Sequence, residues 1–437
     1  MSSPNYPALL NKDFEKVISR YTDQFDGAHG ADDGPQAKDK TTSSRRQRDD
    51  GGRATKAAQV SDSYYEFATA AYETNWSTRF HYAPFSPADT LHSAQCFYEH
   101  RIALLMGLRP GMRVLDVGCG IGGPAREIAR FTGCEVVGIS INQTQIDRAI
   151  QLTAREGLMD KCTFVRGDFL NIPFRSDIFD AAFAIEATCH APSLKTVYAE
   201  ICRVLKPGGV CLVSEWVMTP RFDRSNARHV EMRTRIERGN GVVNLRTSVE
   251  AREAMVSSGF DLVHEEDFAG YYDYLKRRAD TRRAEDAEAR VEESTESVGC
   301  ESDSDQDQDH GKGDGKRTGR ERARGQARTT TPATSVPAPP PPSPRHREWW
   351  WMLEGRTAPS TTWTDWWTAW KMSPFARRAC YALVWSLEKL GYPRARGVCE
   401  AMDILALCVD SVAEAGKEGI FSPSWWFMGR KPSAEHS

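Results

Sequence analysis

The stretch from residue 63 to 276 reads as an α/β fold, a parallel sheet wound on both faces by helices. Three observations predict it. Short apolar, strand-like runs alternate with stretches of helical periodicity. A glycine-rich turn, Gly118 to Gly123, closes the first of those runs and opens a helix. The low mean hydropathy of −0.55 traces to two flanking segments too polar to fold, so the remainder has ordinary core content.

In chain order, an N-terminal segment spans residues 1–62, and 26–62 holds a single sizeable aliphatic residue, Val60. Such a segment buries too little apolar surface to offset its ordering entropy and is expected to be disordered. Strands are expected near Arg113–Val117, Glu135–Ile139, Thr163–Arg166, Phe179–Ile185, Val210–Trp216 and Asp261–Asp267. Helices are expected near Pro124–Thr132, Gln143–Glu156, Lys195–Leu205 and Val249–Ser257. Residues 277–348 contain no Leu, Ile, Phe, Met, Trp or Tyr and run from acidic to basic to proline-rich. They are expected to form a disordered insertion. Residues 349–437 carry ten of the twelve tryptophans, and Ala401–Ala415 has the spacing of a core helix. Tryptophan at that density suits core, an apolar ligand cavity or a membrane-facing surface.

The 437 residues carry 60 acidic and 57 basic side chains, a net charge of −3. That balance argues against nucleic acid as a partner. No apolar run is long enough to span a bilayer. The opening MSSPNYPALLNKDFEKV lacks the basic-then-apolar pattern of a cleaved secretory signal. The eleven cysteines form no CxxC pair and no zinc-like spacing, so free reduced thiols and no bound metal are expected.

The strongest local signal is VLDVGCGIGGPAREIARF, residues 114–131. A strand ends at Asp116, glycines follow at 118, 120, 122 and 123, and Pro124 suits a first helical turn. This pattern resembles motif I of the class I S-adenosylmethionine-dependent methyltransferases, a Rossmann-like fold. The resemblance implies S-adenosylmethionine as cofactor, with Asp116, Gly118, Cys119, Gly120 and Gly122 beside its amino-acid part. Arg166-Gly167-Asp168-Phe169 matches the family's adenine position, which implies contacts from Asp168 and Phe169. The end of the second strand, GISINQ, has no acidic residue for the ribose hydroxyls. Ser140, Asn142 or Gln143 can serve there, and Gln145 joins the expected cofactor contacts.

Upstream, residues 64–85 (YYEFATAAYETNWSTRFHYAPF) are dense in aromatic side chains. A helical core stripe accounts for Tyr64 and Phe67. Trp76, Phe80, His81, Tyr82 and Phe85, punctuated by Asn, Ser and Pro, read instead as a loop that caps an apolar substrate. IEATCHAP (185–192), SEWVMTP (214–220) and GKEGIFSPSWWFMGRKP (416–432) follow. Together with the aromatic block and the glycine loop, these strings resemble the sterol 24-C-methyltransferases. The resemblance covers 63–276 and 349–432, and more faintly 10–25. It implies a methyltransferase domain over 63–276 with an aromatic substrate cap. It also implies a C-terminal α+β sterol-methyltransferase domain over 349–437, whose last strand completes the sheet beyond the insertion.

By that resemblance the protein moves a methyl group from S-adenosylmethionine to C24 of a Δ24-sterol side chain. The alkene is itself the nucleophile, so the site needs a dry tube, negative charge or aromatic faces for a carbocation, and one base. Candidates for the charged roles are Glu186 after the fourth strand, His190, His81 and Glu99. For Glu186, cation stabiliser or proton acceptor is the leading role and a structural carboxylate the lesser one, while His190 is equally readable as a helix cap or a packed core histidine. Glu99 with His100 divides evenly between site and structure. Substrate contacts are expected from Tyr72, Trp76, Phe80, Tyr82, Phe85 and Trp216. A water-insoluble substrate implies peripheral contact with endoplasmic reticulum or lipid-droplet membrane, and a homo-oligomer is left open. The rival expectations are a methyltransferase acting on a prenylated quinol or an unsaturated acyl chain, and a non-catalytic binding protein.

Overall fold

A computed structural model describes residues 14–29, 43–84, 89–270, 350–356, 362–392 and 395–433. The long insertion and Phe85 lie outside the described residues. The N-terminal helices are α1 (Phe14–His29), α2 (Ser43–Asn75) and α3 (Leu91–Leu105). Strand β1 (Arg113–Val117), α4 (Gly123–Thr132), β2 (Glu135–Ser140), α5 (Gln143–Arg155) and β3 (Cys162–Arg166) follow. The chain continues through β4 (Phe179–Ile185), α6 (Leu194–Val204), β5 (Leu205–Met218), α7 (Ala227–Asn240), α8 (Ser248–Ser257) and β6 (Asp261–Asp267). Beyond the insertion come α9 (Trp363–Met372), α10 (Pro374–Lys389), α11 (Val398–Glu418) and β7 (Phe421–Arg430).

Among the described residues, seven strands form one sheet in the order β3-β2-β1-β4-β5-β7-β6. Strands β1 to β5 pair in parallel, and β7 runs antiparallel between β5 and β6. The alternation of side chains in each strand sorts the core onto two faces. Val114, Phe183 and Leu212 face α3, α4 and α5, while Leu115, Ala182 and Val213 face α6 and α8. Order reverses at β1, which lies between β2 and β4, so the C-terminal ends of these strands frame the crevice where doubly wound sheets bind ligands.

The strands and helices expected from the sequence are present, with β5 extended to Leu205–Met218. One expectation fails. Within 26–62, which reads as disordered, α2 runs from Ser43 through Asp62 and onward. Its composition is a poor guide because tertiary packing decides it. Val60, Tyr64 and Phe67 of α2 are buried against Ile18 and Tyr21 of α1 and Ile404 of α11. Each large apolar side chain so buried contributes about 2 kcal/mol.

Candidate active site

The crevice at the strand ends is a cavity lined by Gly118 and Gly120 after β1, Ser140 after β2 and Asp168 after β3. Glu186 and His190, after β4, close its far wall. The glycines are required for different reasons. A Cβ on Gly118 would lie 2.3 Å from the Ala187 Cβ, so packing forbids it. Gly120 has φ +53°, and a Cβ there would meet only a Phe80 ring carbon at 3.7 Å. Its side-chain position is therefore open space in the cavity. The Cys119 amide donates to the Ile139 carbonyl at 2.9 Å, tying the loop to β2. Beneath the loop, Asp116 is buried and its Oδ2 has no hydrogen-bond partner among the described residues. Burial, and then the nearby Glu99 charge, push its carboxyl well above the usual range.

Glu186 is the best-defined group of the site. It is one of two non-glycine residues with positive φ among the described residues, at +53°. Such backbone costs about 1–3 kcal/mol and persists where surrounding contacts impose it. The Tyr82 amide donates to its Oε1 at 2.9 Å, and the Trp216 indole donates to its Oε2 at 2.8 Å. Burial pushes its carboxyl well up, and those two N–H donors oppose the shift. Tyr82 packs on Trp216 with ring centroids 5.8 Å apart, and Trp76 on Tyr82 at 5.8 Å. An aromatic wall thus leads away from the carboxylate.

His190 lies in a short 3₁₀ turn, Thr188–His190. Its Nδ1 is 3.0 Å from the Gly241 carbonyl and its Nε2 is 3.0 Å from the Tyr65 hydroxyl. A carbonyl can only accept, so Nδ1 carries the proton and Nε2 accepts from Tyr65. Burial pushes its pKa down to about 4. His190 therefore stands neutral with its lone pair engaged. Tyr65 itself lines the cavity, as do Ala58 and Ser61.

The structure brings Gly118, Gly120, Ser140, Gln145, Asp168, Phe169, Phe80, Glu186 and His190 to this one cavity. It takes others elsewhere. Asn142 caps α5, its side-chain oxygen accepting from the Gln145 amide at 3.0 Å, and its Nδ2 donates to Asp62 at 2.9 Å. A Cβ on Gly122 would strike the Phe164 ring at 2.5 Å, so that glycine serves packing. His81 and Glu99 are joined at 3.0 Å inside a buried charge cluster, away from the cavity lining. Arg79 binds Glu99 at 3.0 Å and Glu127 at 2.9 Å, and His100 binds Glu127 at 2.9 Å. This cluster clamps the loop after α2 onto α3 and α4. Glu215 is buried on the opposite face of β5, hydrogen-bonded by Thr188 and Tyr198. Tyr72 and Trp76 line a second, larger cavity.

Residues 115–213 match the methyltransferase domain family, and residues 367–433 match the sterol methyltransferase C-terminal family. A sterol 24-C-methyltransferase of Neurospora crassa is 33% identical over 428 residues, covering 97% of this chain and 90% of that one. One from Gibberella zeae is 34% identical over 87% of this chain and 81% of its own length. The chain belongs to the sterol 24-C-methyltransferase family. A third relative, from Schizosaccharomyces pombe, is 47% identical over 48% of this chain and 56% of its own. In this sterol 24-C-methyltransferase family member, the matched methyltransferase segment begins inside β1 and ends inside β5, so it contains the glycine loop, Asp168 and Glu186. The C-terminal match contains α10, α11 and β7.

Two features of the site escape the sequence. Tyr65 is one of the aromatic residues of 64–85 with no role of its own in the sequence reading, and only the fold turns it to His190. Ala58 and Ser61 sit in a segment read as disordered. The tyrosines and phenylalanines of 64–85 are the one available signal that α2 extends toward the site.

Proposed function

We propose that the protein takes the methyl group of S-adenosylmethionine and places it on C24 of a Δ24-sterol, in the cavity between the glycine loop and Glu186. The observation that carries this reading is the buried Glu186, which has positive φ, a carboxylate bound by two N–H donors, and a place in the same cavity lining as Gly120.

The residues suit a cationic amino-acid nucleoside. Gly120 leaves room for close backbone approach. The unpaired Oδ2 of Asp116 leaves an acceptor to spare behind the loop. Asp168, its Oδ1 already accepting from the Leu170 amide at 2.8 Å, presents a carboxylate after β3 for the adenine. Ser140 and Gln145, linked at 2.8 Å, stand where the ribose hydroxyls belong. When bound, the donor supplies an electrophilic methyl group on a sulfonium.

The protein's own contribution is positioning, charge and dryness. Attack of the C24=C25 π electrons on that methyl group would leave the donor's sulfur neutral and the positive charge on the sterol side chain. A hydride shifts along the chain and a proton leaves. Glu186, desolvated and pre-oriented, stabilises that charge and accepts the proton. The faces of Phe80, Tyr82 and Trp216 add about 2 kcal/mol each when the cation is desolvated. His190, with its depressed pKa and its lone pair bound by Tyr65, positions that phenol rather than serving as the base. His81 and Glu99 hold the Tyr82 loop.

No described helix is long and apolar enough to cross a membrane. On α9, Trp363 is 75% exposed, and Trp366, Trp367 and Trp370 are partly so. Trp363 and Trp366 stack at 4.9 Å, as do Trp367 and Trp370. Phe375 of α10 is 76% exposed. Amphipathic indoles so displayed favour the lipid–water boundary. We assign this surface to peripheral contact with endoplasmic reticulum or lipid-droplet membrane. Purified protein given the donor and a panel of Δ24-sterols tests the reading through the mass of the product.

A further inference from the structure

Helix α10 has the sequence PFARRACYALVWSLEK, yet Ala376 is its one buried residue. Apolar helices ordinarily pack that surface away. Between α10, α11 and α2 lies instead a chamber of about 1090 Å³, partly open to solvent. Its wall includes Ala70 and Ala71 of α2, Val384 of α10, and Met402, Leu405 and Ala406 of α11. Its α10 side opens to solvent, where the lining residue Leu383 is 63% exposed. A chamber of this size with apolar walls is space for an apolar ligand.

Its position relative to the active site decides which part of the ligand. Tyr72 and Trp76 line the chamber. The Tyr72 ring packs on Phe80 at 5.3 Å, and Phe80 lines the donor cavity beside Gly120. Trp76 leads through Tyr82 to Trp216, whose indole binds Glu186. One aromatic layer therefore separates the chamber from the reacting centre. Along α11 the lining runs from Val398 to Asp410, which at 1.5 Å per residue is about 18 Å. That is room for a rigid fused-ring body.

We infer that this chamber, built largely by the C-terminal helices, holds the sterol's fused-ring nucleus, while the flexible side chain alone passes the Tyr72–Phe80 and Trp76–Tyr82 layer to reach Glu186. The inference rests on the sterol reading above. It assigns α10 and α11 a substrate-binding role distinct from the methyl-transfer site.

The test uses the full chain with two plugs on facing walls, Ala71→Trp and Ala406→Trp. Donor affinity, read by calorimetry, is expected to stay within twofold in both, which also reports a folded donor site. The KM for sterol is expected to rise at least tenfold. In parallel, the wild-type protein is cross-linked to a sterol carrying a diazirine on ring B. The label is expected on α10 and α11 peptides. An unchanged sterol KM in the plugged variants overturns the inference, as does label recovered outside the chamber. Label displaced by phospholipid vesicles but not by unlabelled sterol would make an acyl chain the occupant and also overturn it. If the wild-type protein methylates no sterol, the underlying functional reading fails instead.

Discussion

The Trp216 indole donates a 2.8 Å hydrogen bond to the Glu186 carboxylate, joining the ends of β5 and β4 across the cavity wall. The other carboxylate oxygen takes the amide of Tyr82, more than a hundred residues earlier in the chain. Both donors are N–H groups, which suits a carboxylate and not an amide. Glu186→Gln turns an NH₂ toward one of them. Turnover is expected to fall by about two to four orders of magnitude, the usual range for a preorganised charge or proton acceptor. Donor affinity, read by calorimetry, should change little. Intact turnover would make Glu186 structural.

The glycine loop separates binding from folding. Gly120→Val fills open cavity space and forces a β-branched residue to positive φ. Donor binding is expected to be lost while the protein remains folded by circular dichroism. Gly118→Ala drives a methyl into Ala187, so its main effect should be a lower melting temperature. Unchanged donor affinity in Gly120→Val would contradict the loop's role.

Glu215 links stability to pH. Burial raises its pKa from 4.5 to about 7. Between those values the folded protein keeps a proton that the unfolded chain releases. Its contribution is full below 4.5 and is lost as pH rises through 7. The shift corresponds to about 3 kcal/mol. In denaturant melts, Glu215→Gln should gain about that much over wild type at pH 8 and little at pH 4. Parallel pH profiles for the two proteins would sink the assignment.

Membrane contact should depend on α9 and the start of α10. Replacing Trp363 and Phe375 with serine removes two large exposed apolar groups. Vesicle co-sedimentation is expected to weaken by at least about tenfold, from the transfer energy of such side chains, with donor affinity unchanged. Full vesicle binding by the double variant would place the contact elsewhere.

Much of this site is legible in the sequence because its signals are local. An apolar strand followed by glycines, or by Asp168 or Glu186, marks the C-terminal edge of a parallel sheet without any knowledge of neighbours. Asn142 reads as a candidate ribose contact, and the structure sets its side-chain oxygen as the cap of α5. What is not legible depends on distant partners. Helix α2 over 43–62 is carried by Tyr21 and by Ile404, the latter more than three hundred residues away. Arg79 looks misplaced in an aromatic block until the fold supplies Glu99 and Glu127. The same cluster withdraws His81 and Glu99 from the cavity. His190 stays open between a site role and a packed histidine until burial and Tyr65 are known.

The central claim is methyl transfer to the sterol side chain in the cavity of Glu186, and product mass tests it most directly. Purified protein is incubated with S-adenosylmethionine and each of several Δ24-sterols, and the recovered sterol is weighed by mass spectrometry. The expected result is a product heavier by one CH₂, with the added carbon on C24, formed by wild type and not by Glu186→Gln. Recovery of every sterol unchanged, or equal product from both proteins, would contradict the account.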